Sequence, residues 1–240
     1  MDTLFLAHPT DDLAVDLTRT GIDPSALDAL PWEDVFAAMR DLEAGSVANP
    51  DEGRQVGHYW LRAPDHAPTV ELGEAIGSTR DAVMAFAEGV RSGATRTPDG
   101  SPFTDVLHVG IGGSALGPQL LVDALGTGPL RLSFVDNIDP DGIQRTLDAL
   151  GDRLDTTLVV GVSKSGGTPE TAHGITLVRR ALEKRGLHAP GHMVAVTGEG
   201  SQLDVQAREE AWLARFAMWD WVGGRTSVTS AVGLLPGALA

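Results

Sequence analysis

From Phe103 to Trp219 the chain alternates short apolar runs with longer amphipathic segments, and this alternation restricts the fold more than any other property. Asp105–Gly110, Leu130–Val135, Thr156–Val162, His192–Thr197 and Phe216–Trp219 read as strands. Between them, Ser114–Gly126, Pro140–Leu150, Pro169–Arg185 and Gln202–Ala214 read as helices. Runs apolar at every position, such as Leu158-Val159-Val160, suit strands covered on both faces. Helices between strands at this spacing make the strands parallel neighbours. The expected fold class is therefore α/β, a doubly wound, mostly parallel sheet. Ligands of such sheets sit at the carboxyl ends of the strands, beside the point where the strand order reverses.

Residues 1–100 read as a helical N-terminal segment, 101–222 as the α/β domain, and 223–240 as the start of a linking helix to a second domain. Pro31–Gly45 carries Glu33 and Asp34 in its first turn and ends on glycine, which are helix start and stop signals. Pro68–Ser92 places Ala82, Val83, Phe86 and Val90 on one stripe of a second helix. Ser92–Pro102 is rich in Gly, Pro and Thr and marks a boundary. Ser227–Leu239 reads as a helix without a partner, its apolar face exposed.

Charge and cysteine usage exclude several functions. The 240 residues hold 33 acidic and 18 basic side chains, a net charge of −15, with no basic cluster. A nucleic-acid or anionic-membrane partner is not expected of such a surface. Without cysteine there is no disulfide, thiolate metal site or cysteine nucleophile, which fits a cytoplasmic location. No apolar run reaches the length of a membrane span, and the stretch Met1–His8 lacks the basic region of a secretory leader. An anionic ligand must then be held locally, by N–H groups, hydroxyls and one or two cations.

Two loops have that chemistry. After the third strand, Ser163-Lys164-Ser165-Gly166-Gly167-Thr168-Pro169-Glu170 supplies three hydroxyls, one cation, two glycines and a helix start with Thr168 as N-cap and Pro169 at its first position. Helix N-termini with free N–H groups bind anions. After the first strand, Gly110-Ile111-Gly112-Gly113-Ser114-Ala115 loosely fits a dinucleotide fingerprint, with Asp136 where a ribose-binding acid would sit. A nicotinamide-dinucleotide site and a phosphosugar site between two small-polar loops are both open on these residues. A Walker A loop is excluded, because no Gly-Lys pair occurs.

Three segments, Gly110–Pro118, Ser163–Thr171 and Gly223-Gly224-Arg225-Thr226-Ser227, resemble in order three motifs of the glucose-6-phosphate isomerase family. Asp136-Asn137-Ile138-Asp139-Pro140 and the loop Asn49–Arg54 are similar to that family as well, the latter to its bacterial branch. The resemblance implies a flavodoxin-like sugar-isomerase domain, a hexose 6-phosphate substrate, interconversion of glucose 6-phosphate and fructose 6-phosphate through an enediol, and a homodimer. It implies no metal and no organic cofactor. Carried onto this sequence, Ser163, Lys164, Ser165 and Thr168 would hold the phosphate, Gly113 and Ser114 would contact the sugar, and Arg225 would stabilise charge near the reacting carbons. Thr226 replaces an aromatic residue, and Gly166-Gly167 replaces bulkier residues of the family. The resemblance places the proton-transferring glutamate, and the histidine and lysine of ring opening, in a second domain beyond these residues. The chain is thus expected to be a truncated form, inactive alone, and a non-catalytic sugar-phosphate-binding module is the alternative. Glu170, His173 and His58 are the residues to weigh as a substitute base, although dipole complementation and packing explain them more simply.

Overall fold

The structure, a computed structural model, describes residues 4–240. Met1, Asp2 and Thr3, which open the stretch read as lacking a leader, lie outside the described residues. The chain divides into two compact units, Met1–Asp41 and Leu42–Ala240.

In the first unit, β1 (Phe5–Ala7) and β2 (Ala14–Asp16) form an antiparallel hairpin in which Leu6 lies opposite Val15. Helix α1 (Pro24–Asp28) starts on Asp23, whose carboxylate accepts from the Ser25 N–H. Helix α2 (Trp32–Glu43) follows, with the Trp32 and Phe36 rings stacked. The hairpin departs from a wholly helical lead-in. Its strands are three residues long, too short to show a two-residue period in the sequence.

The second unit contains α3 (Val70–Arg91), β3 (Asp105–Val109), α4 (Leu116–Leu125), β4 (Arg131–Val135), α5 (Pro140–Leu150), β5 (Thr157–Ser163), α6 (Pro169–Lys184), β6 (Met193–Thr197), α7 (Gln202–Glu209), β7 (Ala214–Ala217) and α8 (Ala231–Leu239). The strands form one parallel sheet in the order β4-β3-β5-β6-β7. The last strand starts two residues before the expected Phe216, with Ala214 beside Val194. β3, β5 and β6 are buried throughout, as their mainly apolar sequences suit.

Strand alternation divides the core in two. Val106, Leu158, Val160, Val162, Val194 and Val196 pack with α3 and α8 on one face. Leu107, Val109, Val159, Met193 and Ala195 pack with α5, α6 and α7 on the other. Each fully buried leucine or valine contributes roughly 1.5–3 kcal/mol of transfer free energy. The terminal helix is not unpartnered as the sequence suggested. α8 lies against α3 and α4 and buries Val232, Leu235 and Leu239. At the amino ends of the strands, buried Asp105 accepts hydrogen bonds from Arg131 and Arg153. The opposite, carboxyl ends are left for the two glycine-rich loops.

Candidate functional site

The strand order reverses between β3 and β5. β3 is followed by α4, which lies on the face of α8, whereas β5 is followed by α6 on the other face. The connections therefore diverge, and a crevice opens between the loop Gly110–Ala115 and the loop Ser163–Thr168. Val109 pairs with Gly161, and β5 runs two residues further to Ser163. Both loops singled out in the sequence thus flank the switch point.

Capping distinguishes the two helices that leave these loops. α1, α3, α5, α7 and α8 each start on a side chain that accepts a helix N–H: Asp23, Thr69, Asp139, Ser201 and Ser230. α4 starts on Ala115 and α6 on Thr168, neither with a side-chain cap. Thr168 stands at the expected N-cap position but turns its hydroxyl to the loop. Ser163 Oγ donates to Thr168 Oγ1 at 3.2 Å, and Ser165 Oγ lies 3.4 Å from the same oxygen. The Gly167 N–H donates to Ser165 Oγ at 3.3 Å. Three hydroxyls and the open end of α6 are thereby brought together.

The loop shape depends on Gly166, which has φ +65°, and a Cβ there would come within 2.6 Å of the Leu203 amide nitrogen. Thr197 Oγ1 donates to the Ser163 carbonyl at 2.6 Å, and the Gly198 N–H to the Lys164 carbonyl at 3.1 Å. Lys164 itself reaches away along the sheet edge. Its Nζ donates to the carbonyls of Asp220 at 3.2 Å and Val222 at 3.1 Å, leaving one N–H of the ammonium uncommitted. Burial, and after it the neighbouring charge of Arg54, hold its pKa below the ordinary lysine value.

The third motif closes over the first loop. Gly113 and Gly224 meet backbone to backbone, and Ser227 Oγ donates to the carbonyls of Gly224 at 2.8 Å and Gly113 at 3.3 Å. Arg225 is exposed on this turn. The Asn49–Arg54 loop joins the same edge through Arg54, which pairs with Asp220 at 2.8 Å and Glu52 at 2.9 Å. A cleft of about 730 Å³ lies between Lys164–Ser165, Gly198–Ser201 and Trp219–Asp220, with Arg54 on its rim. Behind it, Trp221 packs against Trp60 and stacks on Trp219 at 5.2 Å. His58 lies edge-on to Tyr59 in this aromatic layer, while Glu170 and His173 are on the first turns of α6.

Three contributors escaped the sequence reading. Ser227 had no assigned role, Asp220 was passed over as the partner of Arg54, and His108 was read only as a strand residue. His108 Nε2 lies 2.6 Å from the Ser114 carbonyl oxygen. A histidine between Leu107 and Val109 of a buried strand was the signal for the last of these. Asp136, the acid of the dinucleotide fingerprint, accepts hydrogen bonds from Gln119 and Asn137. Among the described residues no cluster of His, Asp or Glu is placed to hold a metal ion, and no helix is long and apolar enough to cross a membrane.

The strand order and the two loops at its reversal define an α/β domain of the flavodoxin-like class. The sequence profile of the family described as phosphoglucose isomerase matches residues 25–240, and the chain belongs to that family. It is 55% identical over 233 residues to a glucose-6-phosphate isomerase of Geobacter sp. (strain M21), covering 95% of this chain and 44% of that protein. It is 52% identical over 236 residues to one of Synechococcus sp. (strain JA-2-3B'a(2-13)), covering 97% of this chain and 44% of that protein. Among solved structures, a glucose-6-phosphate isomerase from Chlamydia trachomatis D/UW-3/Cx superposes with a TM-score of 0.78 at 32% identity, over 91% of this chain and 43% of that one. The chain spans less than half the length of these relatives.

Proposed function

We propose that this chain is the phosphate-holding portion of a cytoplasmic, homodimeric glucose-6-phosphate isomerase, which interconverts glucose 6-phosphate and fructose 6-phosphate. The observation that carries the reading is the convergence of Ser163, Ser165, Thr168 and the uncapped start of α6 beside the switch point. A phosphate there takes hydrogen bonds from hydroxyls and helix N–H groups, and the helix dipole favours its charge. The remaining N–H of Lys164 adds a cation. Gly113 and Ser114, across the crevice, are assigned to the sugar. Arg225, the exposed cation of the turn over Gly113, is assigned to the negative charge of the enediolate. In this division 101–222 is the sugar-isomerase domain, and 223–240 leads toward the second domain.

The nicotinamide reading is disfavoured by two contacts. The close approach that glycines allow a pyrophosphate is taken at Gly113 by the Gly224 backbone, and Asp136 is engaged by Gln119 and Asn137. Thermal unfolding with saturating fructose 6-phosphate or NAD separates the two, because a ligand that binds the native state raises its stability. Stabilisation by the phosphosugar is expected. Stabilisation by NAD alone refutes the proposal.

Proton transfer between C1 and C2 needs a positioned base, worth about 10²–10⁴-fold in rate. The family resemblance puts that glutamate outside these 240 residues. The polypeptide alone is therefore expected to bind phosphosugar with little turnover. Equal fructose 6-phosphate formation by it and by a version extended with the rest of a relative's sequence would move the base to Glu170, His173 or His58.

A further inference from the structure

His108 is a fully buried, titratable residue of β3, one residue before the strand's end. Its ring lies against Phe134 of β4, with centroids 5.3 Å apart. A carbonyl oxygen only accepts hydrogen bonds, so the Nε2 beside Ser114 O carries the hydrogen. Nδ1 is then the bare nitrogen, and it is buried without a partner. The side chain is a neutral imidazole with its tautomer set by one contact.

That contact ties the strand to the turn that follows it. Ser114 ends the Gly112–Ser114 turn and precedes Ala115, the N-cap of α4, so its carbonyl lies outside the helix ladder. The ladder begins one residue later, where the Gln119 N–H donates to Ala115 O at 2.9 Å. Ser114 O therefore depends on a donor from outside the helix, and His108 supplies it. The rest of the turn is held by the Ser114 and Ala115 amides and by Ser227 Oγ, none of which touches this carbonyl.

We propose that His108 is the positioning residue of the sugar-side loop: by holding the Ser114 carbonyl, which lies outside the ladder of α4, its Nε2–H sets the Gly112–Ser114 turn and so the affinity for the sugar portion of a hexose phosphate. The inference rests on the function proposed above and deepens it. His108 acts through Ser114 and does not reach the ligand. It governs the sugar loop and not the phosphate loop, which is built on β5 and α6.

The test compares two ligands by calorimetry on the 240-residue chain, 6-phosphogluconate and inorganic phosphate. His108→Phe keeps an aromatic ring but removes the donor, whereas His108→Gln keeps an amide N–H near the Nε2 position. Loss of a buried hydrogen bond that strands a carbonyl corresponds to about a tenfold weakening. His108→Phe is expected to bind 6-phosphogluconate about tenfold more weakly with phosphate affinity unchanged, and His108→Gln to recover most of the loss. Unchanged 6-phosphogluconate affinity in His108→Phe, or parallel loss of both ligands, overturns the inference alone. If His108→Phe does not fold, a tenfold loss in His108→Gln overturns it equally. Failure of the native chain to bind either ligand refutes the proposed function, and this inference with it.

Discussion

Gly113 and Gly224 meet so closely that a Cβ on Gly113 would lie 2.1 Å from the Gly224 carbonyl oxygen. The obstruction is backbone on both sides, so no side-chain rotation relieves it. Gly113→Ala is expected to push the Gly223–Ser227 turn away from the first loop. Overpacking of this kind costs about 1–3 kcal/mol. Urea unfolding gives the stability change, and a midpoint equal to that of the native chain would contradict the contact.

Lys164 holds a segment as well as a charge. Its ammonium bridges the Asp220 and Val222 carbonyls, joining the Ser163–Thr168 loop to the segment that precedes Arg225. Lys164→Met keeps the aliphatic stem and removes both hydrogen bonds, at a cost of about 0.5–1.5 kcal/mol each. Amide hydrogen exchange at 219–225 is expected to accelerate in the variant, together with weaker phosphate binding. A change in phosphate binding with no change in exchange would reduce Lys164 to a phosphate contact only.

Burial pushes the His108 pKa from 6.5 down to about 4, against the opposing pull of its hydrogen bond to Ser114. The unfolded chain therefore takes up a proton between pH 6.5 and 4 that the folded chain refuses. Stability on this account is intact above about pH 6.5 and is lost as pH falls toward 4. The loss is on the order of 3 kcal/mol across the window. Urea midpoints at pH 7.5 and pH 5 measure it, and His108→Gln should flatten the difference. A native chain with equal midpoints at the two values contradicts a buried neutral imidazole.

The sheet was legible because β3, β5 and β6 are buried on both faces and so carry adjacent apolar residues, Val106-Leu107, Leu158-Val159-Val160 and Val194-Ala195-Val196. The Ser163–Thr168 loop stood out for a local reason, since its hydroxyls, glycines and helix start are contiguous from Ser163 to Pro169. Contacts between distant segments left no such mark. Nothing local to Ser227 announces a hydrogen bond to Gly113, 114 residues away. Likewise the sequence assigned Lys164 to the phosphate and gave no sign of its bonds to Asp220 and Val222, because those carbonyls belong to another segment. α8 looked unpartnered for the same reason, its cover being supplied by α3 and α4. The β1–β2 hairpin was missed because three-residue strands carry too little pattern.

The central claim is that hexose 6-phosphate is held at the switch point by the Ser163–Thr168 loop. Calorimetric titration of 6-phosphogluconate into the native chain and into a Ser165→Ala, Thr168→Ala double variant tests it most directly. Two of the three clustered hydroxyls are removed, and hydrogen bonds to a charged group contribute about 1.5–3 kcal/mol each. The account predicts at least tenfold weaker binding in the double variant with the fold intact. Equal affinity of the two proteins would contradict it.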